Sequence, residues 1–172
     1  MLRLTNKSRA TSLFVRADKH AERGEMRSAF RLMLAAAKLG DSGAQVNVGN
    51  YYADGNGVQR NRSAALYWYK RAYRRGDSSA AHNIGILWRD EKKLERALSW
   101  FFRAIKLGDD EANLDIGKHY LHNEKNLQKA IQHFERVLRS DWVTEAGAEE
   151  AAHLLKLAKR GRGLKAAAIR PR

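Results

Sequence analysis

Residues 44–77 read AQVNVGNYYADGNGVQRNRSAALYWYKRAYRRGD, and this stretch decides the fold. Two segments with helical apolar periodicity, residues 44–53 and 63–73, flank a DGNG turn at residues 54–57 and a short basic connection. Apolar residues that recur at helical spacing are typical of amphipathic helices, and clustered glycines mark a turn between them. The stretch therefore predicts a helical hairpin.

The same outline recurs along the chain, most clearly in the second helix of each predicted hairpin. Four alanines, spaced 36, 32 and 33 residues apart, open equivalent segments, and the fourth residue after each is large and apolar. The alanines are Ala29, Ala65, Ala97 and Ala130, and the large residues are Met33, Tyr69, Phe101 and Phe134. A fixed period of this length indicates a repeat array in which each unit packs on the next.

Small residues recur in the first helices as well. They are Ala17, Gly49, Gly85 and Gly117. A glycine inside a helix costs about 1 kcal/mol relative to alanine. Its repetition therefore predicts close approach of a partner helix at these positions, with the large residues of the second helices filling the space.

Together these patterns predict an all-α fold, a right-handed α/α solenoid of about four helical hairpins plus a C-terminal capping helix. We expect a lead-in over residues 1–10, a repeat domain over residues 11–159 and a basic flexible tail over residues 160–172, because Gly161 and Gly163 should end the last helix. Within the repeat domain, the expected hairpins are 11–40, 41–76, 77–108 and 109–140, and the expected cap is 141–159.

Composition excludes several classes of protein. Cysteine is absent, which excludes disulfides and thiolate zinc sites, and no apolar run is long enough for a transmembrane segment. The basic N-terminal stretch is not followed by a signal-peptide core, so we expect a cytoplasmic location. The net charge of +14 is uneven: residues 59–76 carry six Lys and Arg against no acid, and residues 109–155 carry ten acids against five bases.

Residues 44–77 resemble a Sel1-like repeat, a relative of the tetratricopeptide repeat. The resemblance rests on the GxGV loop and the WYxKA-type helix at their expected separation, together with the small residues already described: Ala44, Val48, Gly49, Tyr52, Gly55, Gly57, Val58, Ala64, Ala65, Trp68, Tyr69, Lys70, Ala72 and Gly76. The other three hairpins lack the GxGV loop and are shorter. The resemblance implies an adaptor or scaffold that holds other proteins, in a family with no common catalytic residue.

The first helix of each pair is expected to line the concave surface of such an array, where the binding groove lies. Residues at fixed offsets from the small residue of each first helix should face this groove. The polar ones that we predict to bind a partner are Asp18, Asn50, His82, Arg89 and Lys118. Polar groups on a mildly apolar floor suit a peptide or a helix of another protein.

A second candidate surface is the basic stretch at residues 59–76. Its cations are Arg60, Arg62, Lys70, Arg71, Arg74 and Arg75. We expect this patch to steer an acidic protein partner toward the groove. The alternative is that the patch and the basic tail bind nucleic acid or an anionic membrane, with Tyr67 and Tyr73 available to stack on bases.

No arrangement of residues in the sequence predicts catalysis. His119 and His122 share a helix, but two histidines without a further ligand at a matching offset indicate a polar helix face rather than a metal site. DGNG lacks the Lys-Ser/Thr of a phosphate loop. We therefore expect a non-enzymatic protein-binding module with no metal and no cofactor, and the sequence does not indicate an oligomeric state.

Overall fold

The structure, a computed structural model, describes residues 5–169, with side chains described for residues 5–161. Regular secondary structure in this range consists of nine α-helices. They are α1 (Asn6–Glu22), α2 (Met26–Lys38), α3 (Ser42–Asp54), α4 (Arg62–Tyr73), α5 (Ser78–Asp90), α6 (Leu94–Lys106), α7 (Ala112–His122), α8 (Leu127–Arg139) and α9 (Glu145–Ile169). Each odd-numbered helix up to α7 packs on the even-numbered helix that follows it, each pair packs on the next, and α9 packs on α8. The predicted solenoid of four hairpins and a capping helix is confirmed.

Aspartates and glycines shape the turns between hairpins. Asp41 Oδ1 accepts a hydrogen bond from the backbone N–H of Ala44 at 2.7 Å, and Asp77 Oδ1 accepts one from Ala80 at 3.1 Å. These are N-caps, which satisfy backbone donors that the first turn of a helix leaves unpaired. The Asp residues that follow Gly40 and Gly76 are therefore the N-caps of α3 and α5.

The DGNG loop gives the second hairpin its extra length. Gly57 has a positive φ of 69°, and a methyl group added to it would lie closer than 3.0 Å to the backbone of Met26. Only glycine fits both the conformation and the space. The loop thus folds back against the start of α2 and braces the second hairpin against the first.

Both ends of the chain depart from the sequence-based boundaries. α1 begins at Asn6, inside the predicted lead-in, because Thr5 Oγ1 caps it by accepting a hydrogen bond from the backbone N–H of Ser8 at 3.2 Å. Ala10 is buried, so this part of the chain belongs to the packed array. Residues 1–4 lie outside the described residues.

The last helix is longer than predicted. Gly161 and Gly163 do not end it, because α9 continues through both to Ile169. At Gly161 the helix lies against Leu127 at the start of α8, so packing on a neighbouring helix opposes the conformational cost of the glycine. The predicted flexible tail is helical as far as Ile169, and residues 170–172 lie outside the described residues.

Three glycines hold the pairs together. A methyl group added to Gly49, Gly85 or Gly117 would lie closer than 3.0 Å to the ring of Tyr69, Phe101 or Phe134, respectively. Phe101 and Phe134 are among the largest fully buried side chains. The pairing of small and large residues predicted from the repeat is therefore confirmed, with each ring seated on the backbone of the preceding helix.

A buried cluster of charges ties the third hairpin to the fourth. His82 on α5 donates from Nδ1 to Asp109 Oδ2 and from Nε2 to Asp115 Oδ2, each at 2.8 Å. Burial opposes the charge of His82, but the hydrogen bonds to the two carboxylates outweigh it and raise the pKa of His82 to about 9. With a pKa of about 9 the side chain is an imidazolium at pH 7, the form in which both ring nitrogens are donors.

Asp115 is the centre of this cluster. Its Oδ1 accepts from Arg89 Nη1 at 2.6 Å, while its Oδ2 accepts from His82. Burial alone would raise the pKa of Asp115, but the bond from His82 and the nearby Arg89 and Lys118 lower it below its usual range. The side chain is only 11% exposed, so the two cations compensate a charge that water cannot solvate.

His133 lies in the opposite protonation state. Its Nδ1 donates to Asn113 Oδ1 at 2.9 Å inside the fourth hairpin. Burial, followed by the charges of Arg136 and Lys129, lowers the pKa of His133 to about 4, so its ring is neutral at pH 7. Protonation of this histidine in the unfolded state removes stability as the pH falls from about 6.5 toward 4.

Alanine at Gly85 or Gly117 is expected to reduce the free energy of unfolding by about 1–3 kcal/mol, because the new methyl group displaces a buried ring. Gly43 is a matched control on α3, since a methyl group there would meet its neighbours at an ordinary 3.5 Å. We expect G43A to be neutral or stabilising, as alanine favours helix over glycine. Urea denaturation measures all three, and a stabilising G85A would contradict the packing described.

Replacing His82 by Gln is expected to remove a pH dependence of stability. The histidine titrates near pH 6.5 when unfolded and near pH 9 when folded, so its stabilisation is complete below pH 6.5 and is lost as the pH rises to 9. The wild type should lose about 3 kcal/mol more than H82Q across this range. Urea denaturation at intervals from pH 6 to 9.5 measures the difference.

The exposed His153 on α9 supplies the control for this experiment. H153Q should keep the wild-type profile. Parallel pH profiles for the wild type and H82Q would show that the imidazolium does not stabilise the fold.

Candidate partner-binding face

The first helices of the hairpins line the concave face of the solenoid. α3 contacts α5 and α7 contacts α9, whereas no two second helices make comparable contact within the described residues. Helices on the inner side of a curve lie closer together than those on the outer side. The odd-numbered helices therefore form the concave face, and α2, α4, α6 and α8 form the outer face.

A crevice of about 280 Å³ opens on this face between the first and second hairpins, and we name it the N-terminal crevice. Met26 and Met33 form its floor, and Asp18, Asn50 and Asp54 stand at its rim. Burial, with a smaller contribution from Glu22, raises the pKa of Asp18. The structure thus brings together Asp18 and Asn50, two of the predicted partner-binding residues.

Asn50 is held in place by two hydrogen bonds. Its Oδ1 accepts from the Tyr69 hydroxyl at 2.7 Å and from Asn83 Nδ2 at 3.1 Å. These bonds connect three helices, α3, α4 and α5. The rim of the N-terminal crevice is therefore preorganised, which lowers the entropy lost on binding.

A second crevice, of about 210 Å³, lies between the third and fourth hairpins, and we name it the C-terminal crevice. Its floor is formed by apolar side chains of α6, including Leu94 and Phe101, and its rim carries Arg89 and Lys118. Lys118 also pairs with Glu150 of α9 at 2.7 Å. Arg89 and Lys118, two further predicted partner-binding residues, therefore line the same crevice.

The two crevices occupy equivalent positions two hairpins apart. Met26 and Leu94 each precede a repeating alanine by three residues, and Asn50 and Lys118 each follow a small residue by one. Their linings differ in charge, since the N-terminal crevice has Asp18 and Asp54 and no Lys or Arg, whereas the C-terminal crevice has Arg89 and Lys118 beside Asp115. The repeat therefore supplies two sockets of the same construction and opposite electrostatic character.

Arg62 occupies the equivalent position between the second and third hairpins. Its Nε lies 2.6 Å from Glu91 Oε1, and its guanidinium lies 4.5 Å from the centre of the Trp88 ring. Arg62 Nη2 also donates to the backbone carbonyl of Leu87 at 3.5 Å. An ion-paired arginine stacked on an aromatic ring thus fills the place where a third crevice would open.

His82 does not lie free at the groove surface, although the sequence predicts it there. Its two ring nitrogens are engaged by Asp109 and Asp115, and its ring meets Phe101 edge to face at 5.5 Å between centroids. The structure places it beneath the surface, where it orders the rim of the C-terminal crevice through Asp115. A direct contact between His82 and a partner stays a prediction.

The predicted basic patch is not one continuous surface. Arg62 faces Trp88, Arg60 Nε donates to the carbonyl of Ala53 at 2.9 Å, and the Arg75 guanidinium lies beside Gly40. Its remaining cations lie on the outer side of the second hairpin, Lys70 and Arg71 in the last turn of α4 and Arg74 at its C-cap. The helical geometry of α4 separates residues that are neighbours in sequence, because 62 and 71 do not share a face.

The two tyrosines proposed to stack on bases have different surroundings. Tyr67 is 53% exposed, and its hydroxyl accepts a hydrogen bond from Arg71 Nη1 at 3.0 Å. Tyr73 packs edge to face on Trp100 at 5.0 Å between centroids and is partly buried. Only Tyr67 presents an accessible ring.

His119 and His122 both line the C-terminal crevice but differ in their surroundings. His119 is buried and its Nε2 lies 3.1 Å from Glu124 Oε1, whereas His122 is exposed at the opening of the C-terminal crevice. Within the described part of the chain, no group of three or more His, Asp or Glu side chains is placed to hold a metal ion.

The sequence-based selection missed residues at the openings of both crevices. Asp54 and His122 each follow a small residue by five positions, outside the stripe that the chosen offsets select. The floors come from second helices, which the selection did not consider. An alignment of the repeats could have identified these residues, because Asp54 and His122 hold the same position in their hairpins and line equivalent crevices.

Comparison with known proteins agrees with this architecture. A Sel1 repeat protein from Oxalobacter formigenes has a TM-score of 0.67 at 24% identity, and the match covers 87% of this chain and 63% of that protein. A protective antigen present in uropathogenic Escherichia coli strains, with an SLR fold, has a TM-score of 0.60 at 16% identity, over 91% of this chain and 45% of that protein. The chain thus spans less than two thirds of either, and at these identities the likeness shows the fold.

The sequence itself carries the family assignment. A search of curated protein sequences gave no significant match. The model of the Sel1 repeat, however, matches residues 23–41, 42–77, 78–109 and 111–136, which reach into each of the four hairpins and cover more than half of the chain. The chain belongs to the Sel1 repeat family.

Proposed function

We propose that this protein is a non-enzymatic binding module whose concave face holds an extended segment or helix of another protein. Sel1 repeats typically mediate protein–protein interaction, which gives the general class. The observation that carries the proposal is the pair of equivalent crevices, each with an apolar floor and a polar rim. Small apolar sockets with a few placed polar groups suit individual side chains of a partner.

The partner of this proposal carries opposite charges at two points. An acidic side chain beside an apolar one fits the C-terminal crevice, where Leu94 and Phe101 lie below Arg89 and Lys118. A basic or amide side chain fits the N-terminal crevice, which Asp18 and Asp54 border. Charge complementarity of this kind sets orientation and suppresses wrong partners.

The cations of the C-terminal crevice can exchange partners. Arg89 is 43% exposed and contacts the exposed Asp90, and Lys118 pairs with the half-exposed Glu150. Exposed pairs contribute about 0–1 kcal/mol. A carboxylate that binds over the apolar floor can therefore replace Asp90 or Glu150 at small cost, while Asp115 stays bound to His82 below.

Selection of random 12-residue peptides on the purified protein tests this proposal. We expect enriched peptides to carry Asp or Glu next to a large apolar residue. The double variant R89A/K118A should weaken their binding about tenfold or more, since it removes both cations of the rim. Isothermal titration calorimetry with a selected synthetic peptide measures the loss.

The variant R103A/K106A is the matched control, because it removes two cations from the outer side of the neighbouring helix α6. It should bind the peptide as the wild type does. Peptides that lack acidic residues, or that bind R89A/K118A with unchanged affinity, would refute the assignment of the C-terminal crevice.

A further inference from the structure

A row of cations follows the outer face of the solenoid. The ninth residue after each repeating alanine is basic and exposed in all four second helices: Lys38, Arg74, Lys106 and Arg139. The sixth residue is basic in three of them: Arg71, Arg103 and Arg136. We name these seven residues the outer ridge. They lie in the last turns of α2, α4, α6 and α8 or, for Arg74, at the C-cap of α4, so they recur at the same end of successive second helices.

The charge of the outer ridge is almost uncompensated. Within the described residues, Arg139 forms its only ion pair, with Glu135 at 3.8 Å, and Glu135 is shared with Lys159 at 3.0 Å. Arg139 is 77% exposed. Cations without acidic partners repel one another, so an arrangement of them that recurs in four hairpins favours an anionic ligand.

Stabilisation of helix ends does not account for the ridge. A cation near a helix C-terminus contributes about 0.3–1 kcal/mol through the helix dipole. The first helices have the same kind of end, yet their last turns carry only two Lys or Arg residues, Lys19 on α1 and Arg89 on α5, whereas the last turns of the second helices carry seven. The cations therefore follow the outer face rather than helix ends in general.

We propose that the outer ridge binds the phosphate backbone of single-stranded nucleic acid. Five of its seven cations are arginines, whose planar fork donates two parallel hydrogen bonds to a phosphate. Two exposed aromatic rings lie on the same helix sides, Tyr67 one turn before Arg71 and Phe102 one turn before Lys106. Proteins that bind single strands without sequence preference combine cations that contact the phosphate backbone with aromatic rings on which the bases stack.

The curvature of the array favours a strand over a bilayer. The ridge lies on the convex side, and a flat membrane touches a convex surface only along its crown. A flexible strand follows the curve and reaches all four helices. The site is separate from the concave face, so this inference does not depend on the proposed protein partner.

Fluorescence anisotropy with a labelled 20-nucleotide poly-U RNA tests the ridge. The variant R74Q/K106Q/R139Q removes one cation from each of three helices. We expect it to bind about tenfold or more weakly at 100 mM KCl, and the slope of log affinity against log salt to fall from about −5 to about −3, at about 0.7 per phosphate contact. Circular dichroism and thermal unfolding establish that the variant is folded.

The control R16Q/K19Q/R23Q removes the same charge from exposed positions on α1 and its C-terminal turn. It should retain RNA affinity within about twofold, and its slope of log affinity against log salt should change little, because these three cations do not contact the RNA in the proposed site. Equal weakening by both variants would overturn the proposal. So would a wild type that does not bind the RNA at 50 mM KCl, or that binds phosphatidylserine vesicles and not RNA.

Discussion

The contact on which the array depends is an aromatic ring lying on a helix backbone where no side chain intervenes. Gly49, Gly85 and Gly117 each receive the ring of the second helix in the same hairpin. The helices of a pair can cross closely only because these positions lack a Cβ, and that crossing sets the relative placement of every residue on both faces. The three glycines cost helix stability, but they permit the close helix crossings on which the shape of the crevices depends.

The order of helices within a hairpin separates two kinds of surface. First helices carry mixed polar residues that lie above the floors supplied by the second helices, and the crevices open between them. Second helices carry their apolar residues inward, and in α4, α6 and α8 the cations of the outer ridge lie outward. One repeated sequence pattern therefore gives the molecule a groove suited to a protein chain and, on the opposite side, a row of cations suited to a polyanion.

The repeat could be predicted from sequence because its signals are local and periodic. Alanine, glycine and aromatic residues at fixed spacing predicted the hairpins, their pairing and the close contacts at Gly85 and Gly117. Asp18 and Asn50, predicted as groove residues, line the same crevice, and their contact with a partner stays a prediction. The helix that runs through Gly161 could not be predicted in this way, since its continuation depends on contact with α8.

Side-chain environments were the other limit. His82 has the offset of a groove residue, but its two carboxylate partners lie 27 and 33 residues away, and no sequence pattern reports that contact. Arg62 likewise stands in a run of cations in the sequence, but in the structure it pairs with Glu91 and stacks on the Trp88 ring. Because Arg62 closes the middle position, the groove is divided into two separate sockets at a fixed distance. Under the proposed function, a partner that fills one crevice would hold a second side chain at high effective concentration near the other, so a bivalent segment would gain avidity that neither crevice alone provides.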